Sequence, residues 1–231
     1  ECLIKNVKKL KIDEVLASSK IVNNDEIELQ AKFIGRFETN SLVHFCWNND
    51  RYNFDDILEI FGQTALPPYI KRDINENDAE RYQTVYASKA GSVAAPTAGL
   101  HFTNEIEEKL EQNGIKTKNL LLHVGLGTFQ PMKTDNLRDH QMHSEVFEVC
   151  KDTIEALCSC EHNNIIAVGT TSLRTLESLY VLAHKINNIK QTSSHFIVEQ
   201  WEAEQLEEKL KPYQAWKNIY DWMQKHNHDT I

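Results

Sequence analysis

Histidine and carboxylate side chains are the residues of this chain best suited to acid–base chemistry. His101 and His123 each adjoin a glycine-rich segment, and His140, His143 and Glu145 form an H-x-x-H-x-E motif. These groups exchange protons readily near neutral pH, so the motif favours general acid–base work or hydrogen bonding to a polar ligand. A metal site is less favoured, because Glu145 is expected to begin a strand and the motif is not that of a zinc protease. A structural hydrogen bond is the alternative for each histidine.

The segment from residue 91 to residue 103, GSVAAPTAGLHFT, consists largely of small side chains. Such side chains fill a core poorly, but they let the backbone approach a bound molecule closely. The segment therefore predicts a ligand-binding loop, with a tight structural crossing as the alternative. Tyr82, Gln83 and Tyr86 lead into it and offer a stacking surface and amide hydrogen bonds for a nucleobase. Alternatively, Val85 and Tyr86 belong to the core of a strand.

Two more loops rich in glycine and hydroxyl groups follow predicted strands. Residues 125–127 read Gly-Leu-Gly and lack the third glycine of a dinucleotide fingerprint, so no Rossmann site is predicted. Residues 169–172 read Gly-Thr-Thr-Ser and are followed by Arg174. Hydroxyls, backbone amides and a positive charge at a helix N-terminus suit a carboxylate or a phosphate. Ordinary capping by Ser172 is the alternative.

The secondary structure predicted to position these groups differs between the first 62 residues and the rest of the chain. Alternation over residues 26–35 and the run at 42–47 predict short antiparallel strands. Residues 53–61 read as a helix with Asn53 as its N-cap and Gly62 as its stop. Beyond residue 70, strands alternate with helices. The predicted elements there are helices that begin after Thr103, at 152–161, at 173–185 and at 213–225, and strands at 119–124, 144–149 and 165–168, the last of them buried.

This pattern predicts a mixed-sheet α/β domain with an associated antiparallel β-barrel domain. We expect residues 1–62 to form the β-barrel-like domain, incomplete at its N-terminus. Residues 63–231 are expected to form the α/β catalytic domain, incomplete at its C-terminus. The first residue is Glu rather than Met, which indicates that the natural N-terminus lies upstream.

Composition restricts the classes of partner. The net charge of −9 argues against a generally basic nucleic-acid coat. No apolar run reaches the roughly 20 residues that span a bilayer, so no membrane partner is expected. The five cysteines are an odd number in a chain of this size, which favours reduced thiols and a cytoplasmic protein over a disulfide framework.

Six segments, in order along the chain, resemble the S-adenosylmethionine:tRNA ribosyltransferase-isomerases of queuosine biosynthesis. The resemblance is close from residue 62 to about residue 180, general over residues 1–60 and weak beyond 190. The segments are LPPYI at 66–70, YQTVY at 82–86, the loop at 91–103, LHVGLGTFQP at 122–131, HQMHSE at 140–145 and VGTTSLRTLES at 168–178.

The resemblance implies a transferase and isomerase that modifies tRNA. Such enzymes transfer the ribosyl part of S-adenosyl-L-methionine to 7-aminomethyl-7-deazaguanine at the tRNA wobble position, form epoxyqueuosine and release adenine and methionine. S-adenosylmethionine is a consumed substrate, and no cofactor or metal is implied. The candidate catalytic residues are His101, His123, His143 and Glu145. The candidate substrate-binding residues are Tyr82, Gln83, Tyr86, Ala95, Pro96, Thr97, Ala98, Gly99, Gly125, Gly127, Thr128, Thr170, Thr171, Ser172 and Arg174.

The chain also departs from this family. An N-N-T-R-V-type strand and a T-N-F-H-x-P-x-S-T-type segment are missing, and His195 lacks the flanking pattern of the latter. Two other functions are therefore kept as alternatives. One is an enzyme that binds S-adenosylmethionine or a nucleoside and acts on a small molecule, which the acidic composition favours slightly. The other is a non-catalytic RNA-binding relative.

Overall fold

The computed structural model divides the chain into two compact units, Glu1–Ala79 and Glu80–Ile231. It describes residues 2–4, 6–37, 40–64, 66, 70–75, 77–89, 92, 94–125, 134–189, 194–207 and 209–231. Residues 67–69 of the LPPYI segment and the loop residues Gly127 and Thr128 lie outside these ranges.

The first unit contains a three-stranded antiparallel sheet in the order β1-β2-β3, formed by Val15–Val22, Asp25–Phe37 and Asn40–Trp47. Asn23 and Asn24 join β1 to β2 with φ of 50° and 69°, as a tight hairpin turn requires. The alternation predicted over residues 26–35 is confirmed, because Ile27 and Phe33 are buried on the same face of β2.

The helix predicted over residues 53–61 is also confirmed as α1, Phe54–Phe61. The side chain of Asn53 accepts hydrogen bonds from the backbone of Asp55 and Asp56, and Asp56 bonds back to the Asn53 N–H. This capping box satisfies N–H groups that the first turn leaves without helical partners. Gly62 is the C-cap of the helix, and a Cβ there would overlap the carbonyl oxygen of Leu58. A short helix, α2, follows at Asp78–Arg81.

The second unit contains a two-stranded antiparallel sheet and a helical core. Its strands are β4, Leu121–His123, and β5, Val146–Glu148; its helices are α3, Asn104–Gln112, α4, Lys151–Cys158, α5, Thr170–Lys185, and α6, Pro212–His226. Thr103 caps α3, as predicted, by accepting a hydrogen bond from the Ile106 N–H. The core packs α4, α5 and α6 around Leu179, Ile219 and Trp222. Short 3-10 turns lie at Thr97–His101 and Glu202–Gln205, among other places.

The buried strand predicted over residues 165–168 is wrong. These residues form no strand, and Ile165 and Ile166 are 42% and 82% exposed. A short apolar run becomes a strand only when neighbouring strands supply hydrogen bonds and cover, and β4 and β5 pair with each other instead. Helix α5 also begins three residues earlier than predicted, at Thr170. Within the described ranges the fold is thus mixed α and β with small antiparallel sheets. No helix in those ranges is long and apolar enough to cross a membrane.

Replacing Ile219 by alanine tests the helical core. Its side chain is fully buried on α6, so Ile219→Ala should lower the free energy of unfolding by about 2–5 kcal/mol in urea titrations. Lys225→Ala, an exposed position on the same helix, should change it by less than about 0.5 kcal/mol. Equal effects at the two positions would show that α6 does not pack as described.

Candidate functional site

Glu145 is the centre of a polar cluster in the second unit. Its side chain is 10% exposed, and its two carboxylate oxygens have different partners. Oε1 lies 3.3 Å from His143 Nε2, and Oε2 lies 3.4 Å from Arg174 Nη1. Arg174 Nη2 also donates a 2.9 Å hydrogen bond to the carbonyl oxygen of His143. We call these three residues the Glu145 cluster.

Three local features assemble the cluster. Glu145 directly precedes β5, so the pairing of β5 with β4 fixes its backbone. Arg174 lies in the second turn of α5, one turn later than predicted. The positive charge of Arg174 balances the carboxylate, which is costly to bury without a partner. The structure thus brings His143 and Glu145, two candidates of the H-x-x-H-x-E motif, into contact.

Arg174 already has partners within this chain, since two of its nitrogens contact Glu145 and His143. This supports a role in organising the His143–Glu145 pair. Its side chain is 40% exposed, so part of the guanidinium faces solvent. Binding of a substrate carboxylate or phosphate by Arg174 stays a prediction.

A second histidine–carboxylate pair lies on β4 and β5. His123 Nε2 is 3.6 Å from Glu148 Oε1, and Lys89 Nζ is 3.5 Å from Glu148 Oε2. No sequence motif had pointed to Glu148. The strand register explains the contact, because His123 pairs with Val146 and the residue two positions further along β5 is its diagonal neighbour on the same face.

Ser92 ties the start of the small-residue segment to the end of β4. Its hydroxyl donates to the Leu122 carbonyl at 3.0 Å and accepts from the Val124 N–H at 3.2 Å. Ser92 therefore lies beside Val124, the residue before Gly125, which is the one candidate of the second loop that the structure describes.

Gly99 explains part of the small-residue pattern by packing. It is buried, and a Cβ there would overlap the phenol oxygen of Tyr86 and lie 2.9 Å from Thr84 Cγ2. Tyr86 lies in a turn, and its neighbour Val85 is 51% exposed, so the strand-core alternative for these two residues is wrong. Burial, with a smaller effect of the charge on Glu107, raises the pKa of Tyr86. At neutral pH the phenol is therefore a hydrogen-bond donor and not a base.

The small-residue segment also meets the third loop. A Cβ at Gly169 would lie 3.6 Å from that of Ala98, which places the 3-10 turn Thr97–His101 against the start of α5. Gly169 is the N-cap of α5 with φ of 95°, a conformation that favours glycine. No side chain caps this end, and Ser172 is its third helical residue, so capping by Ser172 is wrong. Thr170, Thr171 and Ser172 thus line the first turn.

The remaining candidate residues are exposed or half-buried. His101 and Gln83 are exposed, and Tyr82 is half-buried. Ala95 and Pro96 are half-buried beside the exposed Thr97 and Ala98. Among the described residues, no hydrogen bond or ion pair joins His101 to the Glu145 cluster. The same residues contain no group of three or more histidine, cysteine or acidic side chains placed to hold a metal.

A shallow cavity of about 350 Å³ lies elsewhere, in the first unit. Phe45, Cys46, Trp47, Asp50 and Tyr52 line it, and it contains none of the candidate site residues. The Glu145 cluster carries the stronger chemical argument, because it joins a histidine, a carboxylate and an arginine.

Comparison with known proteins agrees with the family resemblance that the sequence motifs indicate. A family model described as "Queuosine biosynthesis protein" matches residues 1–210. The chain is 44% identical over 183 residues to an S-adenosylmethionine:tRNA ribosyltransferase-isomerase of Finegoldia magna, covering 78% of this chain and 49% of that protein. Proteins of the same name are 41% identical over 180 residues in a Sulfurihydrogenibium species, covering 77% and 50%, and 44% identical over 182 residues in Thermotoga petrophila, covering 78% and 50%. The chain thus spans about half the length of these curated relatives. No solved structure is significantly similar to it.

A double-mutant cycle tests the pairing of Glu145 with Arg174. Arg174→Met should lower the free energy of unfolding by about 1–3 kcal/mol, because it leaves a largely buried carboxylate with one partner fewer. Glu145→Gln should relieve part of that loss, giving a coupling of about 0.5–3 kcal/mol. Lys217 and Asp221 on α6 form a matched control, since this pair is 66% and 58% exposed. Their coupling should stay below about 0.5 kcal/mol, and a value as small at Glu145–Arg174 would refute the pairing.

Gly99→Ala tests the close approach of Tyr86. The added methyl group should lower the free energy of unfolding by about 1–3 kcal/mol, as overpacking does. Gly125→Ala is the control, because no described atom lies within 4 Å of its Cβ position. That change should cost less than about 0.5 kcal/mol in the same urea titration. If Gly99→Ala is tolerated equally well, packing does not explain the glycine.

Proposed function

The chain belongs to the queuosine biosynthesis protein family, and from this premise we propose that its protein is an S-adenosylmethionine:tRNA ribosyltransferase-isomerase. It transfers and isomerises the ribosyl moiety of S-adenosylmethionine onto 7-aminomethyl-7-deazaguanine at the tRNA wobble position. Epoxyqueuosine-tRNA forms, and adenine and methionine leave. Relatives of that name at 41–44% identity support the assignment. Because its substrate is tRNA, the protein would act in the cytoplasm. The three-stranded sheet of the first unit would belong to a β-barrel domain.

The Glu145 cluster is the observation that carries the chemical part of the proposal. The reaction needs a base for a ribose C5′ proton, which the neighbouring sulfonium acidifies. A histidine oriented by a carboxylate is a recurrent arrangement for such a base. We assign His143 as the base, with Nδ1 taking the proton while Nε2 faces Glu145 Oε1 at 3.3 Å. Glu145 orients the imidazole and stabilises its charged form.

Arg174 holds Glu145 in this arrangement through Nη1 and fixes the His143 backbone through Nη2. This leaves Glu145 a poor general acid, because its carboxylate already accepts from two groups. His123, paired with Glu148, is then the better candidate for the acid at the departing adenine. The hydroxyl-rich first turn of α5 offers backbone amides to the methionyl carboxylate. No step requires a metal or another cofactor.

Analysis of the released products tests the proposal. Incubation of the purified protein with S-adenosylmethionine and tRNA carrying 7-aminomethyl-7-deazaguanine should release adenine and methionine in equal amounts. Liquid chromatography with mass spectrometry measures both. Release of S-adenosylhomocysteine instead would indicate methyl transfer and would overturn the proposal.

Two variants test the role of His143 in the same assay. His143→Ala should lower turnover by about two to four orders of magnitude, the usual contribution of a general base, with unchanged circular dichroism. His162→Ala, an exposed histidine in a turn, should retain full turnover. Full activity of the His143→Ala protein would remove His143 from the mechanism.

A further inference from the structure

The side chain of Gln200 bridges two backbone groups that lie just before the Glu145 cluster in sequence. Its Oε1 accepts a 2.9 Å hydrogen bond from the Met142 N–H, and its Nε2 donates a 2.9 Å hydrogen bond to the His140 carbonyl. One side-chain amide thus pairs with a donor and an acceptor two residues apart, much as a neighbouring strand would. The contact links positions about 60 residues apart in sequence.

The segment that carries Gln200 is itself tied to the end of α5. Lys185 Nζ donates to the Ile197 carbonyl at 3.0 Å and also bonds to Glu202 Oε1. Glu202 Oε2 accepts a 3.0 Å hydrogen bond from the Glu199 N–H. Partial burial raises the pKa of Glu202, but hydrogen bonds from Lys185 and Glu199 and the charge of Lys185 outweigh it, so the net pKa is lowered. The Glu202 carboxylate is therefore charged at neutral pH, and its ion pair with Lys185 is kept at that pH.

Helix α5 thereby holds the segment before β5 at two places. Arg174, near its start, bonds the His143 carbonyl directly. Lys185, at its end, acts through residues 197–202 and Gln200 on residues 140 and 142. The two ends are separated by 11 residues of helix, about 16 Å. Residues 140–145 are thus bonded at positions 140 and 142 and again at 143 and 145, which fixes the backbone that carries the imidazole.

We propose that Gln200 is a positioning residue for the reaction, which it serves by fixing the backbone that carries His143. This inference rests on the proposed function. Gln200 acts through His143 and need not touch a substrate. A base displaced by about 1 Å can lose on the order of a hundredfold in rate, so the loss should fall on kcat. KM for S-adenosylmethionine should stay within about twofold, because binding groups on α5 are unchanged.

The test compares Gln200→Met with Gln205→Met. Methionine keeps the unbranched shape of glutamine and removes both hydrogen bonds, whereas Gln205 is an exposed glutamine on the adjacent 3-10 turn. Gln200→Met should lower kcat by about ten- to a hundredfold with KM unchanged, and Gln205→Met should behave like the unaltered protein. Lys185→Met removes the contacts of Lys185 with Ile197 and Glu202. It should also lower kcat, but by a smaller factor than Gln200→Met does.

Hydrogen exchange supplies a readout that does not depend on turnover. The Met142 amide should exchange about fivefold faster in Gln200→Met than in Gln205→Met, because it loses its acceptor. Unchanged exchange at Met142, unchanged kcat, or a loss confined to KM would each overturn the inference. If the unaltered protein releases no adenine, the proposed function fails instead, and the exchange rate alone then decides whether Gln200 holds residues 140–142.

Discussion

The arrangement around the candidate site depends on one carboxylate shared between two partners. Glu145 is almost buried, and it is neutralised on one side by Arg174 and paired on the other with His143. A carboxylate with so little exposure needs both contacts, since the loss of either leaves an uncompensated polar group. Helix α5 must therefore lie where Arg174 reaches the segment before β5, and the pairing of β5 with β4 must hold Glu145 next to the helix. The packing of α4, α5 and α6 that fixes the position of α5 thereby serves the site.

Local features of the fold could be read from the sequence because neighbouring residues determine them. The N-cap at Asn53, the cap at Thr103 and the alternation along β2 are set within a few positions and agree with the structure. The strand predicted over residues 165–168 failed for the opposite reason. An apolar run reveals that burial would be favourable, but it does not reveal whether neighbouring strands are present to provide it.

The candidate site, like the fold, was predictable from the sequence only in part. The H-x-x-H-x-E motif identified His143 and Glu145 as candidates, but it did not predict that Arg174, 29 residues after Glu145, contacts both of them. Glu148 and Gln200 were missed because their roles arise from strand register and from a contact between distant segments. Such relations belong to tertiary structure, and no motif records them.

A structure of the protein with S-adenosylmethionine bound tests the central claim most directly. The account predicts that the ribose lies within about 3–3.5 Å of the His143 imidazole, the range for a reacting pair. It also predicts that Arg174 still contacts Glu145. A ribose bound away from His143 would contradict it, as would an Arg174 that no longer contacts Glu145.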